Sequence, residues 1–143
     1  MGSEAFQVRE FTAADESAVI SLWQRCGLTR PWNDPAKDIR RKLKAQPDLL
    51  LVGVLAGEVI ATVMAGYEGH RGWINYLAVS PENQRKGYAR KLVAEAGKRL
   101  LALGCPKINL QVRAGNVAAC EFYRRLGYAQ DDVLSFGKRL AED

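Results

Sequence analysis

The chain has 143 residues, 48% hydrophobic and 26% charged, with a formal net charge of +5. That length suits one domain with a substantial core and excludes two ordinary ones, and no apolar run approaches the roughly 20 residues that span a bilayer. The positive balance suits a polyphosphate ligand. The bases are scattered except at 40–44 and 85–90, with no aromatic-interleaved stripe, which argues against nucleic acid as a partner.

Residues 1–6 lack the basic and apolar parts of a secretory leader, and Phe6 stands where a myristoylation signal wants Ser or Thr, so the expected location is the cytoplasm. Residues 6–11 alternate as a strand. Thr12 then reads as the N-cap of a helix with Ala18, Val19, Leu22 and Trp23 on its apolar side, stopping at Gly27. Prolines make 28–35 a loop, and Ile39 and Leu43 set a second helix over 36–45. Residues 49–56 and 59–67 form a hairpin about Gly57-Glu58, and a looser turn over 66–72 leads to a strand at 73–79. A helix over 86–103 carries Leu92, Val93, Ala96, Leu100 and Leu103 on one face and ends before Gly104. Then come a strand at 107–112, a helix at 116–126 with Val117, Cys120 and Tyr123 on one face, and a last strand or pair of strands within 128–140.

Hairpins among the middle strands exclude a purely parallel sheet. The expected fold is a single mixed α/β (α+β) domain over 1–143, its mostly antiparallel twisted sheet built of about six or seven strands and flanked by about four helices. Cys26, Cys105 and Cys120 are odd in number and lack C-x-x-C spacing, and His70 is the lone histidine. Reduced packing thiols and no metal are expected, with Cys26 and Cys120 left open as reactive groups.

The most informative stretch is the strand 76–79, which breaks at Pro81 into Gln84-Arg85-Lys86-Gly87-Tyr88-Ala89-Arg90 and runs straight into a helix. Strand, tight loop and helix start aim several unpaired N–H groups one way, with roughly half a unit of positive charge from the helix dipole. Gly87 lets the backbone approach a ligand, and Arg85, Lys86 and Arg90 add full charge. This is a site for a pyrophosphate.

Two motifs in order, Leu-Ala-Val-x-Pro-x-x-Gln-x-x-Gly-x-Ala over 77–89 and Asn-x-x-Ala-x-x-Phe-Tyr-x-x-x-Gly-Tyr over 116–128, resemble the GNAT family of acyl-CoA-dependent N-acetyltransferases. The Arg-Pro-Trp-Asn-Asp-Pro and Gly-Tyr-Glu-Gly-His-Arg-Gly segments are similar to a bacterial subgroup called YpeA-like. The resemblance implies acetyl-CoA as cosubstrate, a primary amine as acceptor attacking directly, and neither metal nor covalent enzyme intermediate. It implies that the sheet splays between the strand ending at Val79 and the strand 107–112, with the cofactor in the gap. Backbone groups of Leu77, Ala78 and Val79 would meet the acetyl carbonyl and pantetheine, and the loop from Gln84 through Arg90 would hold the pyrophosphate. Asn116 would bond the pantetheine, and Tyr123 would stand near sulfur. A homodimer is common in the family.

Amide formation needs a neutral amine, a polarised thioester carbonyl and a proton donor for the departing thiolate. Tyr123 is the expected acid. The base is open: ribosomal-protein N-terminal acetyltransferases of the family carry a glutamate where this chain has Gln111, and an amide takes no proton at neutral pH. Glu68 is the first choice, with His70, Asp34 and a water relay as alternatives. Trp32, Asn33 and Asp34, together with His70, are expected to contact the acceptor. Asp34 and Glu68 favour a cationic amine, whereas Arg30 and Arg71 favour an acceptor carrying a carboxylate. The absent glutamate also motivates a second reading, a non-catalytic acyl-CoA-binding sensor.

Overall fold

Alternating apolar residues and short turns make the middle of the chain a meander, and two helix-containing connections lay its remaining elements on either side. In the computed structural model, which describes residues 5–143, the order is β1 (Gln7–Glu10), α1 (Glu16–Arg25), α2 (Pro35–Ala45), β2 (Leu50–Leu55), β3 (Glu58–Tyr67), β4 (Gly72–Val79), α3 (Tyr88–Ala102), β5 (Ile108–Leu110) and α4 (Val117–Arg125). Residues 1–4, read above for leader signals, lie outside the described residues. The five strands form one sheet in sequence order, antiparallel from β1 to β4 and parallel between β4 and β5.

Each sheet face carries its own core. On one side Leu51, Val63, Ala65 and Ile74 meet Leu92, Ala96 and Leu100 of α3. On the other, Leu50, Val52 and Ala78 meet Val19, Leu22 and Trp23 of α1 and Ile39 of α2. The alternation along β2 puts successive residues into opposite cores, so a slip of one residue would exchange them.

One irregularity in β4 sets up everything beyond it. Met64 pairs with Asn75 but Thr62 pairs with Ala78, so β4 carries an extra residue in a bulge, and Tyr76 takes a left-handed φ of 51°. Asn75, opposite Met64, and Tyr76 therefore both point to the α1/α2 face. The bulge is held by buried groups. The Trp23 ring stacks on the Tyr76 ring at 3.7 Å, Trp23 Nε1 donates to Thr62 Oγ1 at 2.9 Å, and Thr62 Oγ1 donates to the Tyr76 carbonyl at 2.9 Å.

The structure corrects the expected strand count from six or seven to five. Residues 128–140 form no strand; they lie beside β5 through side chains, with Lys107 paired to Asp131 at 3.0 Å and Gln111 donating to Ser135. Burial does not fasten this segment, since Val133, Leu134, Phe136 and Leu140 are exposed. Helix α3 starts at Tyr88 instead of 86 because Arg85 and Gly87 both have positive φ, 64° and 84°. Among the described residues no helix is long and apolar enough to cross a membrane.

Thr62→Val keeps the shape of the side chain but leaves the Trp23 N–H and the Tyr76 carbonyl without partners. Thermal unfolding should show a loss of about 2 kcal/mol or more. Thr62→Ser, which keeps the hydroxyl, should stay near wild type.

Candidate active site

Parallel pairing between β4 and β5 covers only Gly72 to Ile74, opposite Ile108 to Leu110. Beyond the bulge β4 diverges, and the three-residue β5 ends at Leu110, so among the described residues no strand flanks β4 on that side from Asn75 to Val79. A gap thus opens beside Leu77, Ala78 and Val79, the stretch expected to meet the thioester and pantetheine. The Val79 carbonyl is already used, accepting from Gln84 Nε2 at 3.1 Å and from Cys26 Sγ at 3.2 Å. Burial raises the half-buried Cys26 thiol above its usual range, which suits a packing group.

At the far end of β4 the chain turns through Pro81–Asn83 into the loop before α3. Its residues divide the work. Gln84 ties the loop to the strand end, Tyr88 stacks on Phe6 at 4.2 Å, and Gly87, at the N-cap, supplies the left-handed turn without capping the helix by a side chain. The first turn of α3 contains no acid, and Lys91 is the first residue whose N–H returns to the Gly87 carbonyl. The earlier N–H groups and the exposed Arg85, Lys86 and Arg90 are left for an anion. Ala89 packs against the core below.

Helix α4 packs Phe122 and Tyr123 against the same α3-side core that Leu77 and Val79 face. Asn116 is its N-cap, Oδ1 accepting from Ala119 N at 3.1 Å, so only its amide nitrogen is left for the expected pantetheine contact. Tyr123 packs against the α3-side core and meets Phe122 and Tyr128 edge-on. Its hydroxyl has no protein hydrogen bond among the described residues. Burial, with a smaller contribution from Tyr128, pushes its pKa up to about 12, so the phenol stays protonated and can donate a hydrogen bond at any working pH. Between α3 and α4 a cavity of about 350 Å³ is lined by Arg90, Val93, Ala94, Arg125, Leu126 and Tyr128. Two guanidinium groups and an aromatic ring at the edge of the phosphate loop suit a phosphorylated nucleotide end.

On the opposite face the loop between α1 and α2 reaches the bulge. Asn33 Nδ2 donates to Asp38 Oδ2 at 2.5 Å and to Tyr76 Oη at 3.1 Å, and Tyr76 Oη donates to Asp38 Oδ2 at 2.7 Å. Burial and then Asp38 hold the Tyr76 phenol far above the ordinary tyrosine range, so it stays neutral. Tyr76 and Asp38 went unnoticed as site residues in the sequence. The signal present was the polar pair Asn75-Tyr76 interrupting an otherwise apolar strand. Trp32, in the same loop, is 56% exposed and free to meet a ligand.

The proposed bases fare differently from Tyr123. Glu68 lies in the β3–β4 turn, at the end of β4 that pairing with β5 seals, and Tyr67 Oη ties this turn to the Gly104 carbonyl behind α3. The Glu68 carboxylate accepts from the N–H groups of His70 and Arg71, both at 2.6 Å, and these bonds hold its pKa below the usual range. The structure therefore does not bring Glu68 or His70 to the gap. Asp34 caps α2, accepting from Ala36 N at 2.9 Å, and its own N–H donates to Asp143 at 2.8 Å. Asp34 is a structural carboxylate here. No cluster of three or more His, Cys, Asp or Glu suited to a metal occurs among the described residues.

Residues 12–128 match the acetyltransferase (GNAT) family. The chain is 51% identical over 138 residues to an acetyltransferase of Sodalis glossinidius, covering 96% of this chain and 97% of that one. It is 49% identical over 137 residues to an acetyltransferase of Pectobacterium atrosepticum, with 96% and 97% covered. Among solved structures, the fold is similar to Ard1 from Thermoplasma volcanium, with a TM-score of 0.77, 24% identity and 87% and 83% of the two chains covered. It is also similar to AAC(6′)-Iy in complex with a bisubstrate analogue of CoA, with a TM-score of 0.78, 18% identity and 94% and 99% covered. The chain belongs to the GNAT family of acetyltransferases.

Gly87→Ala places a Cβ on a left-handed residue in the phosphate loop, at a strain of about 1–2 kcal/mol. Nothing lies within 4 Å of that Cβ, so the fold should survive. Calorimetry should show acetyl-CoA binding weakened by about tenfold.

Proposed function

We propose that this enzyme transfers the acetyl group of acetyl-CoA to a primary amine by direct attack, with the two reactants meeting at the β4 bulge from opposite faces of the sheet. The observation that carries the reading is the gap along Asn75 to Val79, which follows β4 toward a cation-rich helix start without a side-chain cap, on the side whose core also holds Tyr123, a phenol with no protein hydrogen bond among the described residues.

The roles follow from these positions. The N–H groups at the start of α3, with Arg85, Lys86 and Arg90, hold the pyrophosphate, and the cavity bearing Arg90 and Arg125 takes the nucleotide end. Backbone groups of Leu77, Ala78 and Val79 bond the pantetheine and polarise the thioester carbonyl. The Asn116 amide nitrogen adds a pantetheine contact. Tyr123 donates to the departing thiolate. The acceptor enters on the α1/α2 face between Trp32, Asn33 and the bulge, and its ammonium loses a proton to water, since Glu68 and His70 lie in the β3–β4 turn and the Asp34 carboxylate is engaged in capping α2. Water suffices because an amine has only to be partly neutral to attack, and direct transfer needs no enzyme nucleophile.

Finer points belong to the same reading. The chain works in the cytoplasm, where an acetyl-CoA pool is available, and its Arg30-Pro-Trp-Asn-Asp-Pro35 segment supports placement in the YpeA-like subgroup. Exposed Val133, Leu134, Phe136 and Leu140, beside the edge of β5, support a homodimer.

The test is thiol release from acetyl-CoA over amino acids, polyamines, aminoglycosides and N-terminal peptides. Tyr123→Phe should lower kcat by about a hundredfold or more while leaving acetyl-CoA binding nearly intact. Binding without turnover on any amine would favour a sensor instead. In the wild type, with the phenol at about 12, kcat should show no alkaline fall up to about pH 10. A fall centred near pH 8 in kcat would assign the acid to another group.

A further inference from the structure

The loop between α1 and α2, which carries Trp32 and Asn33, is a turn closed on itself by Asn33 N donating to the Arg30 carbonyl at 3.1 Å. Past Leu28, among the described residues, only two hydrogen bonds tie it to parts of the chain outside α1 and α2. One runs from Asn33 Nδ2 to Tyr76 Oη at 3.1 Å, and the other from Asp34 N to Asp143 Oδ2 at 2.8 Å. The loop that borders the proposed acceptor site is thus pinned by the bulge on one side and by Asp143 on the other.

Asp143 is fitted into this place. Its Oδ1 accepts from Arg41 Nη2 at 2.5 Å, its main-chain carbonyl accepts from Lys37 Nζ at 2.6 Å, and its side chain is only 5% exposed. Donors from the first two turns of α2 therefore converge on one residue. Arg41 and then the Asp34 N–H hold its carboxyl down at about 2, so it is a carboxylate at any working pH. Arg41 passes the contact on. Its Nη1 donates to Asp38 Oδ1 at 3.0 Å, and Asp38 Oδ2 accepts from Asn33 Nδ2 and from the Tyr76 hydroxyl. Asp143, Arg41, Asp38 and Tyr76 form one chain of hydrogen bonds that ends at the bulge, and the charge of Asp143 adds to burial and Asp38 in raising the Tyr76 pKa.

The segment that delivers Asp143 links the two borders of the gap. Gln111, one residue beyond β5, donates to Ser135, and among the described residues 136–142 make no hydrogen bond to any other segment before Asp143 docks on α2. We propose that Asp143 is a positioning residue for the acceptor, clasping the start of α2 so that Trp32, Asn33 and Tyr76 meet the amine in a fixed arrangement. This rests on the acetyl-transfer reading above and adds a residue that determines how the acceptor fits. With one anchor removed, the loop has more conformations to lose when the amine binds, and the cost falls on acceptor binding. Acetyl-CoA is spared, because the partners of the clasp belong to α2 and its cap, on the face opposite α3.

The test is Asp143→Ala, with Asp143→Asn as a variant that keeps an oxygen for the Asp34 N–H but loses the charge. Hydrogen exchange should show the Asp34 amide about tenfold less protected in Asp143→Ala. Thiol release from acetyl-CoA is then measured with whichever amine of the panel above turns over fastest. Its KM should rise about tenfold while kcat falls by less than about twofold, and calorimetry should show acetyl-CoA binding unchanged. Asp143→Asn should fall between Asp143→Ala and wild type. An unchanged amine KM, unchanged exchange at Asp34, or equal weakening of amine and acetyl-CoA, as a merely structural loss would give, would overturn the proposal. Turnover in wild type that the substitutions leave unaltered removes only this inference. Wild type that binds acetyl-CoA and turns over no amine removes the acetyl-transfer reading, and this inference with it.

Discussion

The active site depends on a single backbone irregularity, the left-handed conformation of Tyr76. For a bulky residue such a φ costs on the order of 1–3 kcal/mol and persists only where the surroundings enforce it. Here they act on every part of the residue. Trp23 stacks on the ring, Thr62 holds the carbonyl, and Asp38 and Asn33 hold the hydroxyl. Without the bulge, β4 would continue straight beside a parallel neighbour, and the main chain of Leu77 to Val79 would be occupied by a ladder. The strain thus accompanies the release of the β4 edge from its parallel neighbour beyond Ile74.

The bulge also decides which reactant goes where. It turns Asn75 and Tyr76 to one face, which the proposed reading gives to the acceptor, while Leu77 and Val79 return to the α3 side, which it gives to the cofactor. Charge follows the same division. The α3 start exposes Arg85, Lys86 and Arg90 and keeps acids out of its first turn, whereas on the α2 side Asp34 and Asp38 are consumed by capping and by the bulge. An anionic cofactor would therefore meet exposed cations at the start of α3, while the carboxylates of the opposite face are engaged within the protein.

Periodicity made the cores legible: Val19, Leu22 and Trp23, or Leu92, Ala96 and Leu100, recur at helical spacing and are buried as expected. The phosphate loop was legible because glycine, cations and a helix start adjoin in sequence. What could not be read were long-range side-chain contracts. Helical spacing from Ile39 puts Lys42 on the inward side of α2, but nothing local shows that it is buried there, which depends on the position of α2 over Gly66. Glu68 looked free because its flanking glycines suggest reach, yet the same tight turn brings two N–H groups to its carboxylate. The last segment failed as a strand because its apolar residues at 133, 134 and 136 do not alternate and no neighbour buries them.

The high pKa of Tyr123 constrains what its proton can do. A thiol like that of free cysteine has a pKa of about 8.5, well below that of the buried phenol, so full transfer of the phenolic proton to the thiolate is uphill. On the proposed mechanism the phenol therefore acts, as the thiolate forms, as a hydrogen-bond donor that disperses charge, and its burial makes such a bond stronger than in bulk. The proton that finally neutralises CoA then has a better source in the newly formed N-acetylammonium, a far stronger acid than the phenol. On this account burial of Tyr123 keeps the donor neutral and in place throughout the cycle, and the absence of a glutamate at Gln111 is tolerable, because the amine sheds its second proton downhill once the amide bond has formed.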